Sequence, residues 1–135
     1  MTARPVPLPT SLSAPFWEAT RRGQLMIPHC ARCDRWFFTP ELACPGCLER
    51  DWTYREVRGT GTVYSVTVVH RAPSPGFDPP FALAIIELDE GAMMLSHVVG
   101  VPPEEVRIGQ RVRVRMRELT AQITLPEFEI APPKA

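Results

Sequence analysis

The four cysteines of this 135-residue chain fall into a single pattern, Cys30-x2-Cys33 followed ten residues later by Cys44-x2-Cys47. Two residues between a pair of cysteines let one tight turn direct both sulfur atoms at the same point, and two such turns form the tetrahedral thiolate set that Zn²⁺ prefers. Four protein ligands leave no position for water, so such a metal holds the fold and does not catalyse. The pattern predicts a structural Zn²⁺ site. Two disulfides, a redox-active pair and a rubredoxin-like iron site are the alternatives.

The rest of the sequence offers little catalytic chemistry. Once the cysteines are assigned to metal, the three histidines, His29, His70 and His97, form no nucleophile–base arrangement with Ser, Cys or Asp. His29 stands directly before the first cysteine and is interpreted as a spectator, because four thiolates complete the coordination shell. The acidic residues at 87–90 are typical of a hairpin turn rather than of paired acid–base carboxylates. The chain is therefore predicted not to be an enzyme.

Two stretches are candidate binding sites for a ligand or a partner. In the proline-rich loop at 70–80, Arg71 could bind a phosphate, Phe77 could stack on a base or pack on a partner, and His70 could hydrogen-bond to either. An ordinary hairpin loop is the alternative. In residues 111–117, Arg alternates with Val and Met, so four guanidinium groups share one strand face. We interpret that face as solvated, with an anion-binding strip as the alternative.

Composition and charge narrow the function classes. The 15 basic and 15 acidic residues cancel, so the chain has no general electrostatic field for nucleic acid. No apolar run approaches the roughly 20 residues of a membrane-spanning helix, and the first ten residues carry no apolar secretory segment. We therefore expect a cytoplasmic protein with no membrane partner.

The elements that position these residues are predicted to be mostly strands, because the 16 prolines argue against a mainly helical fold. Ser13 is placed to cap one short helix from Ala14 to about Arg22, and its Phe16 and Trp17 must pack on the chain's own core or on a partner. Residues 24–57 predict two short hairpins, each turning through a cysteine pair. Alternating apolar residues then predict five strands of a small closed barrel, at 60–71, 81–88, 93–99, 111–119 and 123–130.

The order of these motifs resembles a known family over almost the whole chain. The helix sequence PFWEATRRGQL precedes a ribbon containing FFTP and CPGC, and GTGTVYSVTVVHRAPSPGF, ALAIIELDEG, VRIGQRVRV and TLPEF follow. These motifs are similar to a bacterial and archaeal family of zinc-ribbon plus OB-fold proteins associated with acyl-CoA metabolism. The resemblance implies an all-β chain with little helix. It divides the chain into an N-terminal arm and helix (1–23), a rubredoxin-like zinc ribbon (24–57) and a five-stranded OB-fold barrel (58–135).

The resemblance also implies a function. Members of that family pair with thiolase-fold enzymes, including aldolases and acyltransferases, and the catalytic residues belong to the thiolase-like chain. It implies here a non-catalytic accessory subunit that binds such a partner, a steroid side-chain aldolase being one candidate, and helps hold acyl-CoA. Contacts with ligand or partner are then expected at His70, Arg71, Phe77, Phe16 and Trp17. A zinc-containing OB fold that binds single-stranded nucleic acid is the alternative function, disfavoured by the zero net charge.

Overall fold

A computed structural model describes residues 4–132, and most of its regular structure is β-strand. One helix, α1 (Ala14–Arg21), precedes the strands. In chain order the strands are β1 (Met26–His29), β2 (Thr53–Glu56), β3 (Thr60–Val69), β4 (Phe81–Leu88), β5 (Met93–Val99), β6 (Arg111–Glu118) and β7 (Thr124–Ile130). A single 3-10 turn, Pro103–Glu105, lies between β5 and β6. The predicted all-β class with little helix is confirmed.

Strands β3 to β7 close into a five-stranded barrel in the spatial order β3-β4-β5-β7-β6. Strands β5 and β7 pair in parallel, and every other neighbouring pair is antiparallel. Alternation along the strands turns one set of apolar side chains inward, and Val63, Ile86, Val112 and Phe128 are almost completely buried there. This closed barrel is the OB fold that the sequence predicts.

The two ribbon strands pair with each other instead of forming two hairpins. Strand β1 lies antiparallel to β2, with Ile27 opposite Arg55, so one two-stranded sheet flanks both cysteine turns. Only the isolated bridge between His29 and Trp36 corresponds to the predicted first hairpin. The prediction of two hairpins is therefore wrong in its pairing. The segment between the two cysteine turns is too short to form a strand ladder of its own, and Pro40 interrupts it.

Helix α1 packs its apolar face into the main core. Phe16 is 3% exposed, and its ring centroid lies 5.2 Å from that of Phe38 in the ribbon. The predicted cap is wrong in one respect: Ser13 is the N-cap residue, but its backbone is helical rather than extended, and its Oγ instead accepts a hydrogen bond from the N–H of Thr10. Within residues 4–132, no helix has both the length and the apolar character that crossing a membrane requires.

Candidate functional site

The four cysteine sulfur atoms lie within 4.8 Å of one another. The Sγ–Sγ distances are 3.5 Å between Cys30 and Cys47 and 3.5 Å between Cys33 and Cys44, and all four cysteines are free. Zn–S bonds of about 2.3 Å would place tetrahedral sulfur atoms about 3.8 Å apart. The thiolate cluster fits one zinc ion with a closed coordination shell, so this is a structural zinc site.

Two turns of the same shape position the cysteines. The residue four positions after the first cysteine of each pair, Asp34 or Leu48, has a left-handed backbone, with φ of 61° and 64°. In the second turn the N–H of Leu48 donates to the carbonyl of Cys44, and the N–H of Gly46 donates to the Cys44 sulfur at 3.3 Å. These bonds bend the chain so that both sulfur atoms of a pair face the same point. Left-handed backbone at Leu48 costs about 1–2 kcal/mol.

The cysteine thiols influence one another strongly. The N–H of Arg35 lowers the pKa of Cys33, but desolvation and the neighbouring thiols raise it to about 12. Burial raises the pKa of Cys44, whereas the N–H groups of Cys47 and Gly46 lower it to about 7. The turn backbone therefore favours a thiolate at Cys44, which is the form that binds metal.

His29 braces the first cysteine turn rather than adding a ligand. Its ring is buried, with Nε2 2.7 Å from Oδ1 of Asp34 and Nδ1 3.4 Å from a guanidinium nitrogen of Arg55. The ring also packs 4.5 Å from Trp36 between centroids. Both ring nitrogens have partners in the fold, in keeping with the spectator role expected from the sequence.

The arginines on strand β6 are mostly neutralised within the chain. Three of the four form ion pairs, with shortest N···O distances of 2.7, 3.1 and 3.4 Å, respectively: Arg111–Asp89, Arg113–Glu129 and Arg117–Glu127. Asp89 belongs to the acidic turn between β4 and β5, so its carboxylate joins β6 to that turn. This pairing favours a solvated strand face over a strip that binds external phosphates.

The loop between β3 and β4 forms a pocket, the loop pocket, of about 330 Å³ beside the barrel. Arg71 and Phe77 line it together with Phe81 and His97. The Phe77 and Phe81 rings are 5.9 Å apart, and Phe81 lies 4.7 Å from His97, all between centroids. His70 is exposed and is not part of the lining. The fold thus brings together two of the three contact residues predicted in this loop.

A second cavity, the arm cavity, lies between the N-terminal arm, α1, the ribbon and the barrel, with a volume of about 310 Å³. Phe16 and Trp17 contribute to its apolar wall, and Arg4 and Glu127 provide charged groups. Phe16 is thus turned toward the chain's own core, whereas Trp17 is half-buried. Sequence reasoning missed Arg4 and Glu127, because no local motif contains them. Only the alternation of Glu with apolar residues in TLPEFEI places Glu127 on the outer barrel face.

Glu127 is a buried carboxylate with two partners. It is 5% exposed, and its Oε2 lies 3.4 Å from Nη1 of Arg117 and 3.7 Å from Nδ1 of His97. Burial raises the pKa of Glu127, but His97 and Arg117 outweigh burial, so the pKa lies below its ordinary value. The carboxylate is therefore ionised at neutral pH and held in place by its neighbours.

The outer face of β3, β4 and β5 carries exposed apolar side chains, which we call the apolar strip. Its members are Tyr64, Ile85, Met93 and Leu95, which are 57%, 36%, 36% and 64% exposed. Ile85 and Leu95 are direct cross-strand neighbours, and Tyr64 lies in the bulge of β3. Exposed apolar side chains on neighbouring strands form a candidate interaction surface.

Comparison with known proteins gives two family matches: the ChsH2 rubredoxin-like zinc ribbon domain over residues 17–53 and the ChsH2 C-terminal OB-fold domain over residues 54–117. A probable enoyl-CoA hydratase alpha subunit of Thermomonospora curvata is 37% identical over 97% of this chain, which spans only 41% of that protein. A DUF35 domain-containing scaffold protein of Methanocaldococcus jannaschii is 37% identical over 76% of this chain and 75% of its own length. A solved structure of an Ltp2-ChsH2(DUF35) aldolase matches with a TM-score of 0.84 and 35% identity, covering 94% of this chain and all of that one.

Proposed function

Because this chain belongs to the DUF35 family of zinc-ribbon and OB-fold proteins, we propose that it is a non-catalytic subunit that binds an enzyme acting on acyl-CoA. The observation that carries the proposal is the apolar strip on the outer face of the closed barrel. The zinc site supports a binding role, because four thiolates leave no coordination position for a reacting water. An exposed apolar surface on a small rigid barrel suits an assembly role better than a catalytic one.

The partner we propose is a thiolase-fold enzyme, either an aldolase or an acyltransferase, with steroid side-chain aldolase as one candidate. The solved Ltp2-ChsH2(DUF35) aldolase, whose name pairs a DUF35 chain with an aldolase, supports this choice. The catalytic residues would then lie on the partner. Single-stranded nucleic acid is a weaker candidate, because exposed Tyr64 could stack on a base but most arginines on β6 are already ion-paired. Cytoplasmic location and the domain boundaries stay predictions.

The loop pocket is where we propose that this subunit contacts the CoA part of the thioester. Arg71 would bind a phosphate and Phe77 would stack on the adenine, since both line one pocket at the barrel rim. His70 lies exposed at the end of β3 and would hydrogen-bond at the periphery. Phe16 is nearly buried, so partner contact from α1 would fall mainly to Trp17.

Co-expression with a thiolase-fold protein from the same source tests the assembly. We expect a stable complex by size-exclusion chromatography and light scattering, and tighter acyl-CoA binding by the complex than by either chain alone. Leu95→Glu should weaken the complex at least tenfold, because it buries a charge in an apolar contact. Leu42→Glu is the matched control, since Leu42 is 76% exposed in the zinc ribbon.

Three results would contradict the proposal in whole or in part. Turnover of an acyl-CoA by the isolated chain would make it an enzyme. A complex that tolerates Leu95→Glu but not Leu42→Glu would move the partner surface from the barrel to the ribbon. Tight, salt-sensitive binding of an oligonucleotide, without association with the thiolase-fold protein, would favour the nucleic-acid alternative.

A further inference from the structure

The arm cavity contains a hydrogen-bond donor for which the described residues provide no acceptor. Nε of Arg4 is buried and has no hydrogen-bond acceptor within residues 4–132. Two other polar side chains in the lining already have partners: Ser96 donates to the carbonyl of Pro126 at 2.8 Å, and Glu127 has His97 and Arg117 beside it. A buried N–H without an acceptor is destabilising, so the cavity favours a ligand that supplies an oxygen.

The surroundings of Arg4 also leave its positive charge incompletely stabilised. Burial lowers the pKa of Arg4 and the charge of Arg117 lowers it further, while Glu127 and Asp78 act in the opposite direction. The net shift is downward, so the cation is less stable here than in water. An additional acceptor oxygen beside Arg4 would offset that loss.

We propose that the arm cavity binds an acyl group, whose apolar chain lies against Phe16, Trp17 and Leu125 and whose carbonyl or carboxylate oxygen accepts a hydrogen bond from Nε of Arg4. A guanidinium only donates, so the ligand must bring the acceptor. The remaining wall is mainly aromatic and aliphatic, which selects a hydrocarbon body, and about 310 Å³ is within the range of small-ligand cavities. Free carboxylic acids and acyl thioesters share this chemistry.

An acyl thioester could occupy both cavities at once. Leu83 and His97 line the arm cavity and the loop pocket alike, so the two adjoin. Arg4 lies at their border, with its Cζ 4.5 Å above the Phe77 ring. A thioester carbonyl at Arg4 would therefore direct the CoA part toward Arg71. This thioester placement rests on the proposed function, whereas binding of a free acid does not.

Calorimetric titration of the zinc-loaded full chain tests the proposal with four probes: decanoate, decanoyl-CoA, CoA alone and decylamine. Arg4→Met should weaken decanoate binding about tenfold, the loss expected for a hydrogen bond to a charged group. Arg113→Met is the matched control, because Arg113 is exposed and ion-paired elsewhere on the barrel. Leu125→Trp should reduce binding by filling the cavity. In NMR spectra, the Nε–H resonance of Arg4 should shift when decanoate is added. The resonance of an arginine with a purely structural role would stay unchanged.

The outcomes separate the two ligand sources. An acyl site is supported if decanoate and decanoyl-CoA both bind and if Arg4→Met and Leu125→Trp both weaken that binding. If only decanoyl-CoA behaves in this way, the site is assigned to thioesters. Binding that is unchanged in both variants, or decylamine that binds as tightly as decanoate, overturns the proposal. CoA alone binding as tightly as decanoyl-CoA also overturns it, but leaves the proposed partner function intact, since complex formation is measured independently.

Discussion

Loss of the zinc ion should unfold the cysteine turns and leave the barrel folded. The turns have little apolar packing of their own: Phe37 is the one buried side chain in their cluster besides Cys30 and Cys44, with Trp52 partly buried beside it. A buried Phe contributes about 1.5–3 kcal/mol, whereas structural zinc contributes about 10–16 kcal/mol. The metal therefore dominates the stability of the turns. The barrel shares a larger core with α1 and strand β1, and none of the zinc ligands belongs to that core.

Hydrogen exchange measured by mass spectrometry can separate the two regions in Cys44→Ser and in chelated wild-type protein. We expect amides in residues 30–52 to lose protection, those in residues 60–130 to keep it, and bound zinc to fall from one to none per chain. His29→Gln is the control, because it removes a brace but no ligand and should keep its zinc. Persistent protection of residues 30–52 without metal would refute the reasoning, and so would simultaneous loss of protection in the barrel.

Three further changes test particular contacts. Leu48→Gly should stabilise the zinc-bound ribbon by about 0.5–1 kcal/mol in chelator competition, because glycine relieves the left-handed strain but loses some chain entropy; an equal gain in Leu42→Gly would contradict that reason. Gly61→Ala should destabilise the barrel by about 1–3 kcal/mol in urea unfolding, because the added Cβ would lie 2.5 Å from a backbone oxygen of β4. Unchanged stability would contradict this reason, because β3 and β4 would then be able to move apart at Gly61 without cost. The pKa of Glu127 is lower in the folded protein than in the unfolded chain. Its contribution to the free energy of unfolding is therefore fully present above the unfolded-state pKa and is lost as the pH falls through the folded-state pKa. Glu127→Gln should therefore reduce the acid sensitivity of unfolding, and an identical pH profile would refute this.

The zinc site and the strands could be predicted because their signals are local. Because each cysteine pair is closely spaced, few backbone conformations are available between its members, and those that bind metal direct both sulfur atoms at one point. The structure brings all four sulfur atoms together. The barrel strands follow from the alternation of apolar residues, which tells the inner face from the outer one without reference to neighbours. The pairing of β1 with β2 was not predictable in this way, because a ladder depends on which strands meet after the chain has folded.

The candidate ligand site depended on tertiary structure. Arg71 and Phe77 could be named from their loop, but whether His70 joined them depended on how the loop lies against the barrel. Arg4 and Glu127 come from opposite ends of the chain, and neither carries a local signal for the other. Likewise, the exposed positions of Ile85 and Leu95 become one surface only through the register of β4 and β5. Residue types and short spacings determine the metal chemistry and the strands, whereas cavities and surfaces form between distant segments, whose proximity is a product of the packed core.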